Sequence, residues 1–154
     1  IIRQLRNHGQ ANRFKANMVG WNARMDSIQA EILLNKLPAL DKHNTRRRAI
    51  ATQYNGNLHK DIEIPVQNTN SIHVYHQYVI KHKNVDAIGK TLLSKGIQSR
   101  RYYPTSLHRT ETYKDEGSYP NAEYCSSKAL AIPVHQYLTD KEVSSIIEAV
   151  KEAT

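Results

Sequence analysis

The sequence predicts an α/β (α+β) fold in which a long kinked helical arm leads into a small sheet covered by helices. The chain has 154 residues, of which 39% are hydrophobic and 23% are charged, as in ordinary globular proteins. Apolar residues recur at helical spacing over residues 26–58. Beyond residue 70, strand-like and helix-like patterns alternate. This length suits one domain of ordinary size.

The predicted arm begins at Asp26, because Asp26 and Gln29 have the spacing of a capping box. The apolar residues that then share one helix face are Met25, Ile28, Ile32, Leu33 and Leu37. Pro38 has no amide hydrogen, so we expect a kink or a new helix start there. The pattern continues to Leu58. Residues 26–58 therefore form either one long kinked helix or two helices end to end.

A strand, a helix and a second strand are predicted after a linker at residues 61–70. Residues 72–81 alternate and are rich in β-branched and aromatic side chains, which predicts a strand. The next helix is marked by Val85, Ile88, Leu92 and Leu93. Gly96 is placed to cap its C-terminus. The pattern over residues 97–103 predicts a second strand that ends at Pro104.

Two further helices complete the predicted fold. Residues 105–120 predict a loop, and residues 121–130 predict a helix. The side chains expected to point inward from that helix are Ala122, Cys125 and Ala129. A short extended piece at 132–134 precedes the last helix, where Thr139 and Glu142 have the spacing of a capping box. The buried face of this helix is predicted to be Val143, Ile146, Ile147 and Val150.

The positive charge is concentrated at the start of the chain. Residues 1–60 hold eleven basic and three acidic side chains, whereas residues 61–154 hold eleven of each. This asymmetry indicates that the first part faces phosphate, nucleic acid or an acidic partner surface. The run Arg46, Arg47 and Arg48 suggests a basic surface that binds nucleic acid. Consecutive helical residues point in different directions, however, so a solvent-exposed helix face is the favoured interpretation.

Missing patterns exclude several functional classes. No apolar run approaches the roughly 20 residues that span a bilayer, and the chain has no GxGxxG, P-loop or nucleophile elbow. Cys125 is the only cysteine, which excludes an internal disulfide and fits a reducing, cytoplasmic compartment. We expect it to be a buried structural residue. His73 and His76 would lie on opposite faces of a strand, so no metal site is predicted.

Two segments are candidate binding sites. Asn22 and Arg24 lie just ahead of a predicted helix start, where an amide and a guanidinium could hold a phosphate. The alternative there is helix capping with a surface arginine. Tyr102, Tyr103 and His108 lie at a strand end and in the loop after it, where α/β folds often keep their sites. A plain surface tyrosine cluster is an equal alternative.

Motifs along the whole chain resemble those of one family. They are Leu5-Arg6-Asn7-His8-Gly9, Gly20-Trp21-Asn22-Ala23-Arg24-Met25-Asp26-Ser27-Ile28-Gln29-Ala30, Lys36-Leu37-Pro38, Arg47-Arg48-x-x-Ala51, His73-Val74-Tyr75-His76-Gln77-Tyr78-Val79-Ile80, Gly96-Ile97, Tyr103-Pro104 with Leu107-His108, and Ala131-Ile132-Pro133 with Leu138-Thr139-x-x-Glu142. In this order they resemble the sugar aminotransferases of the DegT/StrS type. These are pyridoxal-phosphate (PLP) enzymes of the aspartate-aminotransferase (type I) fold.

The resemblance implies that the chain is the C-terminal portion of such an enzyme. Residues 1–24 would be the tail end of the large PLP-binding domain, residues 25–60 a connecting helix or helix pair, and residues 61–154 the C-terminal small domain. The lysine that forms the Schiff base with PLP would lie upstream of residue 1. The chain would then hold no catalytic residue, and we expect it to be inactive alone.

The resemblance also implies roles for the candidate residues. Asn22 would donate to the PLP phosphate of the neighbouring subunit of a homodimer, and Arg24 would face the active site or the nucleotide phosphates. Tyr102, Tyr103 and His108 would lie on the substrate side of the cleft. The substrates would be a nucleotide-linked keto-sugar and glutamate, in the cytoplasmic synthesis of a polysaccharide or lipopolysaccharide. Neither a nucleic acid nor a membrane is expected as a partner.

Other interpretations stay open. The chain could be a non-catalytic basic binding module whose first 60 residues contact nucleic acid or an acidic partner. Within the family, dehydration or regulation could replace transamination. Many members have His-Tyr-Pro and a proline before the leucine, whereas this chain has Tyr102-Tyr103-Pro104 and Ser106, so the exact sugar contacts stay open.

Overall fold

A computed structural model describes all residues 1–154, and the chain divides into two compact units. Unit 1 is Ile1–Leu40 and unit 2 is Asp41–Thr154. This division falls inside the segment 25–60 that the resemblance implies is a connection. The three-part domain organisation stays a prediction. No helix combines the length and the apolar character that crossing a membrane requires.

Unit 1 is made of short elements. They are helix α1 (Ile2–Leu5), the antiparallel strands β1 (Gln10–Asn12) and β2 (Lys15–Ala16), and helix α2 (Ser27–Lys36). Gly9 is the buried residue of this unit and has a φ of 72°. A Cβ at Gly9 would lie 1.7 Å from the carbonyl oxygen of Met18. Only glycine therefore permits the backbone at residue 9 to approach the backbone at Met18 so closely.

The helical arm consists of two helices. A 3₁₀ turn at Leu37–Ala39 joins α2 to helix α3 (Leu40–Asn57). Pro38 lies in this turn, where its missing amide hydrogen removes no α-helical hydrogen bond. The sequence leaves one kinked helix and two helices open, and the structure shows two helices. The predicted capping box at Asp26 is wrong, because the Asp26 side chain accepts no hydrogen bond from the helix amides.

Unit 2 is organised around a two-stranded antiparallel sheet of β3 (Tyr78–Lys81) and β4 (Ala129–Ile132). Two isolated bridges extend it on either side, joining Glu63 to Lys81 and Arg100 to Ala131. Helices α3, α4 (Val85–Ser94) and α6 (Asp140–Glu152) share one core with the buried face of this sheet. The largest fully buried side chains are Tyr54, Tyr78, Ile50, Ile80, Ile88, Leu92, Val143 and Val150.

Two core tyrosines are anchored by their hydroxyl groups. Tyr54 donates to the carbonyl oxygen of Pro133 at 2.7 Å, and Tyr78 donates to Asn55 Oδ1 at 2.5 Å. Burial raises the pKa of both Tyr54 and Tyr78. Both hydroxyls therefore stay protonated donors, which a buried phenol needs in order to avoid an unpaired polar group.

The observed strands are shorter than the predicted ones. Tyr75 has a φ of 49°, and its amide donates to His73 Nδ1 at 2.8 Å, so residues 72–77 are irregular rather than a strand. The strand predicted at residues 97–103 is reduced to the single bridge at Arg100. Alternation of side chains indicates an extended backbone, but it does not show that a partner strand is present.

Helix α5 (Pro120–Lys128) confirms the helix predicted near 121–130 but not its inward face. Both Ala122 and Cys125 are exposed, and Ala129 belongs to β4. The prediction of a buried structural cysteine is therefore wrong. The error arises because α5 packs against the 101–109 segment through polar contacts and does not enter the core.

The ends of α4 and α6 follow the prediction. Gly96 has a φ of 73° just beyond α4, as a C-terminal glycine requires. Thr139 and Glu142 form the complete capping box of α6, whose four predicted core residues are all buried. Leu93 is the exception in α4, because its side chain is exposed.

Candidate functional site

Asn22 and Arg24 form one hydrogen-bonded group in unit 1, in the extended chain ahead of α2. Arg24 Nε donates to Asn22 Oδ1 at 3.1 Å, and both side chains are exposed. The backbone of Asn22 is held by a bridge to Asn7. The bond uses the amide oxygen of Asn22, so the NH₂ of Asn22 and the Nη groups of Arg24 remain as donors without a protein acceptor. Such a donor set suits a phosphate.

Tyr102 and Tyr103 line a cavity of about 610 Å³ in unit 2. Its floor is the face of the sheet opposite the core, formed by Val79, Ala129 and Ala131. Leu107 and α5 contribute its apolar walls. An apolar concavity with a few polar groups is the usual form of a small-molecule site. The two tyrosines therefore lie together where a ligand could bind.

His108 does not line that cavity. It lies in a 3₁₀ turn at Leu107–Arg109 and is only 8% exposed. His108 Nε2 is 2.9 Å from Glu123 Oε1, and Arg109 Nη2 donates to the same oxygen at 3.0 Å. The hydrogen bonds from His108 and then Arg109 lower the pKa of Glu123. His108 therefore ties the loop that follows the two tyrosines to helix α5.

Sequence reasoning did not identify Glu123 as part of this arrangement. Glu123 lies 15 residues beyond His108, on a helix that shows no buried face. Ser106 Oγ lies 2.7 Å from Ser126 Oγ, which adds a second tie between the same loop and α5. No local pattern in the sequence signals these pairings, because each depends on how α5 is placed in the fold.

The three consecutive arginines of α3 have separate roles. Arg46 pairs with Asp140 at 2.8 Å and also donates to a backbone carbonyl. Arg47 Nη1 donates to the carbonyl oxygens of Tyr75, His76 and Val134. The only hydrogen bond of the Arg48 side chain is to Thr45, one turn away. The prediction of a solvent-exposed helix face is thus wrong for Arg46 and Arg47, because irregular segments beside α3 leave carbonyls that need donors.

Three known proteins show what the chain is similar to. The dTDP-3-amino-3,6-dideoxy-alpha-D-galactopyranose transaminase of Aneurinibacillus thermoaerophilus is 32% identical over 95% of this chain and 41% of its own length. A crystal structure of S. venezuelae DesV matches at a TM-score of 0.88 and 30% identity, covering 98% of this chain and 42% of that chain. NtdA from Bacillus subtilis, solved with bound cofactor PMP, matches at 0.80 and 25% identity, covering 97% and 38%.

These matches cover a much larger share of this chain than of the proteins that it matches. They take in nearly all of this chain, but the chain spans only about two fifths of the length of the proteins it matches. The model of the DegT/DnrJ/EryC1/StrS aminotransferase family matches residues 1–151. The resemblance drawn from the motifs is thereby confirmed, and the chain belongs to the DegT/DnrJ/EryC1/StrS aminotransferase family.

Proposed function

We propose that this chain is the C-terminal portion of a PLP-dependent aminotransferase that transfers an amino group from glutamate to a nucleotide-linked keto-sugar. The observation that carries the proposal is the likeness to a solved family member over 98% of the chain at a TM-score of 0.88. The chain alone would be inactive, because the Schiff-base lysine would lie upstream. We also propose that the full-length protein is a homodimer and acts in the cytoplasm.

The donors at Asn22 and Arg24 support a role in holding the cofactor phosphate. Asn22 Oδ1 already accepts a hydrogen bond from Arg24, so the groups left without a partner are donors: the NH₂ of Asn22 and the Nη groups of Arg24. The guanidinium group of Arg24 is also positively charged. A phosphate accepts from such groups and a cation does not. When bound, PLP would supply the electron sink for amino transfer. The part of Asn22 and Arg24 would be to fix its phosphate, in trans across the homodimer.

Cofactor retention tests this assignment in the full-length protein that carries the chain. Asn22→Ala should weaken PLP affinity by roughly 10- to 100-fold, because a hydrogen bond to a charged group contributes about 1.5–3 kcal/mol. Asn17→Ala is the matched control, since Asn17 is an exposed asparagine of unit 1 whose side chain makes no hydrogen bond. Equal affinity in the two variants would refute the role of Asn22.

The cavity beside Tyr102 and Tyr103 supports a role in binding the sugar. Tyr103 is 82% exposed and Tyr102 46%, so both rings are available to a ligand. His108 would act by holding their loop on α5 through Glu123. His108→Ala should therefore reduce turnover of the keto-sugar more than the half-reaction with glutamate. Equal loss in both half-reactions would argue against placing this loop on the sugar side.

The contacts of the arginines weaken the alternative of a basic binding module. Two of the three arginines suspected of binding nucleic acid, Arg46 and Arg47, use their guanidinium groups within unit 2. A phosphate backbone would have to compete with these bonds. The aminotransferase interpretation does not require a ligand to displace the hydrogen bonds of Arg46 and Arg47, so it is favoured.

A further inference from the structure

Arg100 is the one arginine of unit 2 whose guanidinium group has no hydrogen-bond acceptor. The other five all donate to side chains or backbone carbonyls: Arg46, Arg47, Arg48, Arg101 and Arg109. Arg100 also takes part in no ion pair, although carboxylates elsewhere in the unit pair with Arg46, Arg101 and Arg109. A guanidinium group left with all five of its N–H donors free is available to an anion.

The backbone of Arg100 is hydrogen-bonded to the sheet, and its guanidinium group lies beside an aromatic ring. Its amide donates to the carbonyl oxygen of Ala131 at 3.0 Å, and the amide of Ala131 donates back at 2.9 Å. The guanidinium carbon lies 5.4 Å from the centre of the Tyr102 ring. Stacking on a ring leaves the N–H edge of the guanidinium unobstructed. The backbone of Arg100 is therefore held in place, and its exposed guanidinium group lies beside the Tyr102 ring with its donors free.

Arg100 also lines the 610 Å³ cavity that Tyr102 and Tyr103 border. No aspartate, glutamate, lysine or second arginine lines this cavity, and most of its remaining surface is apolar or bears hydroxyl groups. In this cavity an anion would meet one cation and no competing carboxylate, whereas Glu142 and Glu148 line the second cavity that Arg100 borders.

We propose that Arg100 binds the carboxylate or phosphate group of a small molecule whose body occupies the cavity between Tyr102 and helix α5. This inference rests on the proposed function in one respect, because it takes the molecule to be a substrate of the aminotransferase. The anionic group then belongs either to the amino donor, as a carboxylate, or to the nucleotide-linked sugar, as a phosphate. Both offer paired oxygens that match the fork of an arginine.

An NMR titration of the 154-residue chain, with ¹⁵N in its arginines, tests the inference without cofactor or turnover. Glutarate serves as the dicarboxylate probe and pyrophosphate as the diphosphate probe, each titrated separately. We expect one of them to shift the Nε–Hε signal of Arg100 to saturation. Arg100→Gln should weaken binding of that probe by roughly 10- to 100-fold, as expected for loss of a charge-assisted pair.

Arg48→Gln is the matched control, since Arg48 also lies in unit 2 and bonds only to Thr45. It should leave the affinity unchanged, and Arg100→Lys should restore part of it by keeping the charge without the fork. Saturation by glutarate would assign the site to the amino donor, and saturation by pyrophosphate to the nucleotide. Saturation by neither probe, or equal losses in Arg100→Gln and Arg48→Gln, would overturn the inference.

Failure of this inference is separable from failure of the proposed function. The titration reports only whether unit 2 holds an anion at Arg100, so a negative result would leave the aminotransferase assignment intact. Loss of the assignment would instead appear as the absence of PLP binding by the full-length protein. In that case a saturable shift at Arg100 would still define an anion site, but its ligand would not be a substrate of amino transfer.

Discussion

Replacement of Arg47 should destabilise unit 2 more than replacement of Arg48, which lies beside it on α3. Arg47 Nη1 donates to the carbonyl oxygens of Val134 at 2.9 Å, Tyr75 at 3.1 Å and His76 at 3.3 Å. Its Nη2 donates to Gln136 Oε1 at 3.3 Å. Three carbonyls share one nitrogen, so we count two full bonds at about 1.5 kcal/mol each. Arg47→Ala should lower the free energy of unfolding by about 3 kcal/mol.

Urea unfolding followed by far-ultraviolet circular dichroism measures this loss. With a denaturant slope of about 2 kcal/mol/M, the midpoint should fall by about 1.5 M. Arg48→Ala, on the same helix, makes the same change in helix propensity but removes only the bond to Thr45. It should cost about 0.5 kcal/mol or less. Equal shifts for the two variants would refute the idea that Arg47 clamps α3 to the segments beside it.

Three further predictions use the same unfolding assay. Tyr54→Phe removes the donor to Pro133 and should cost about 1–2 kcal/mol; an unchanged midpoint would contradict this. Hydrogen bonds from the backbone amide and then from the side chain of Thr139 lower the pKa of Glu142. The ionised Glu142 therefore stabilises the fold at pH values above its ordinary pKa of 4.5, and this contribution is lost as the pH falls below 4.5 and through the lowered pKa. Glu142→Gln should make the free energy of unfolding depend less on pH in the acid range. The same pH dependence in the variant and the unchanged protein would contradict a stabilising role of the capping box. Gly96→Ala should cost about 1 kcal/mol because φ is 73°, and a gain in stability would show that the turn is not strained by a side chain.

Local patterns in the sequence predicted the elements that depend on local forces. The apolar spacing of α6 and its capping box both agree with the prediction, because a helix and its cap are set by residues three or four apart. The same spacing at Asp26 does not form a capping box, so spacing alone is not sufficient. Gly96 and Pro38 likewise act on their own backbone. Asn22 and Arg24 could be paired in advance, since residues two apart in an extended chain point to the same side.

The remaining features depend on contacts between distant residues. Arg46 reaches the carbonyl of Leu138, 92 residues away, and no periodicity records such a pairing. Cys125 was expected to be buried because α5 carries small apolar residues, but the core is closed by other helices. The sequence does not distinguish Arg100 from the other arginines for a related reason. Its lack of a hydrogen-bond acceptor is visible only once the partners of the other arginines are known.

The absorbance spectrum of the full-length protein that carries this chain, before and after borohydride, tests the central claim most directly. The claim is that the chain forms part of a PLP-dependent aminotransferase. We predict a yellow chromophore that borohydride reduces, leaving the cofactor attached to the protein. A colourless protein that gains no chromophore when PLP is added, and that borohydride leaves unchanged, would contradict it.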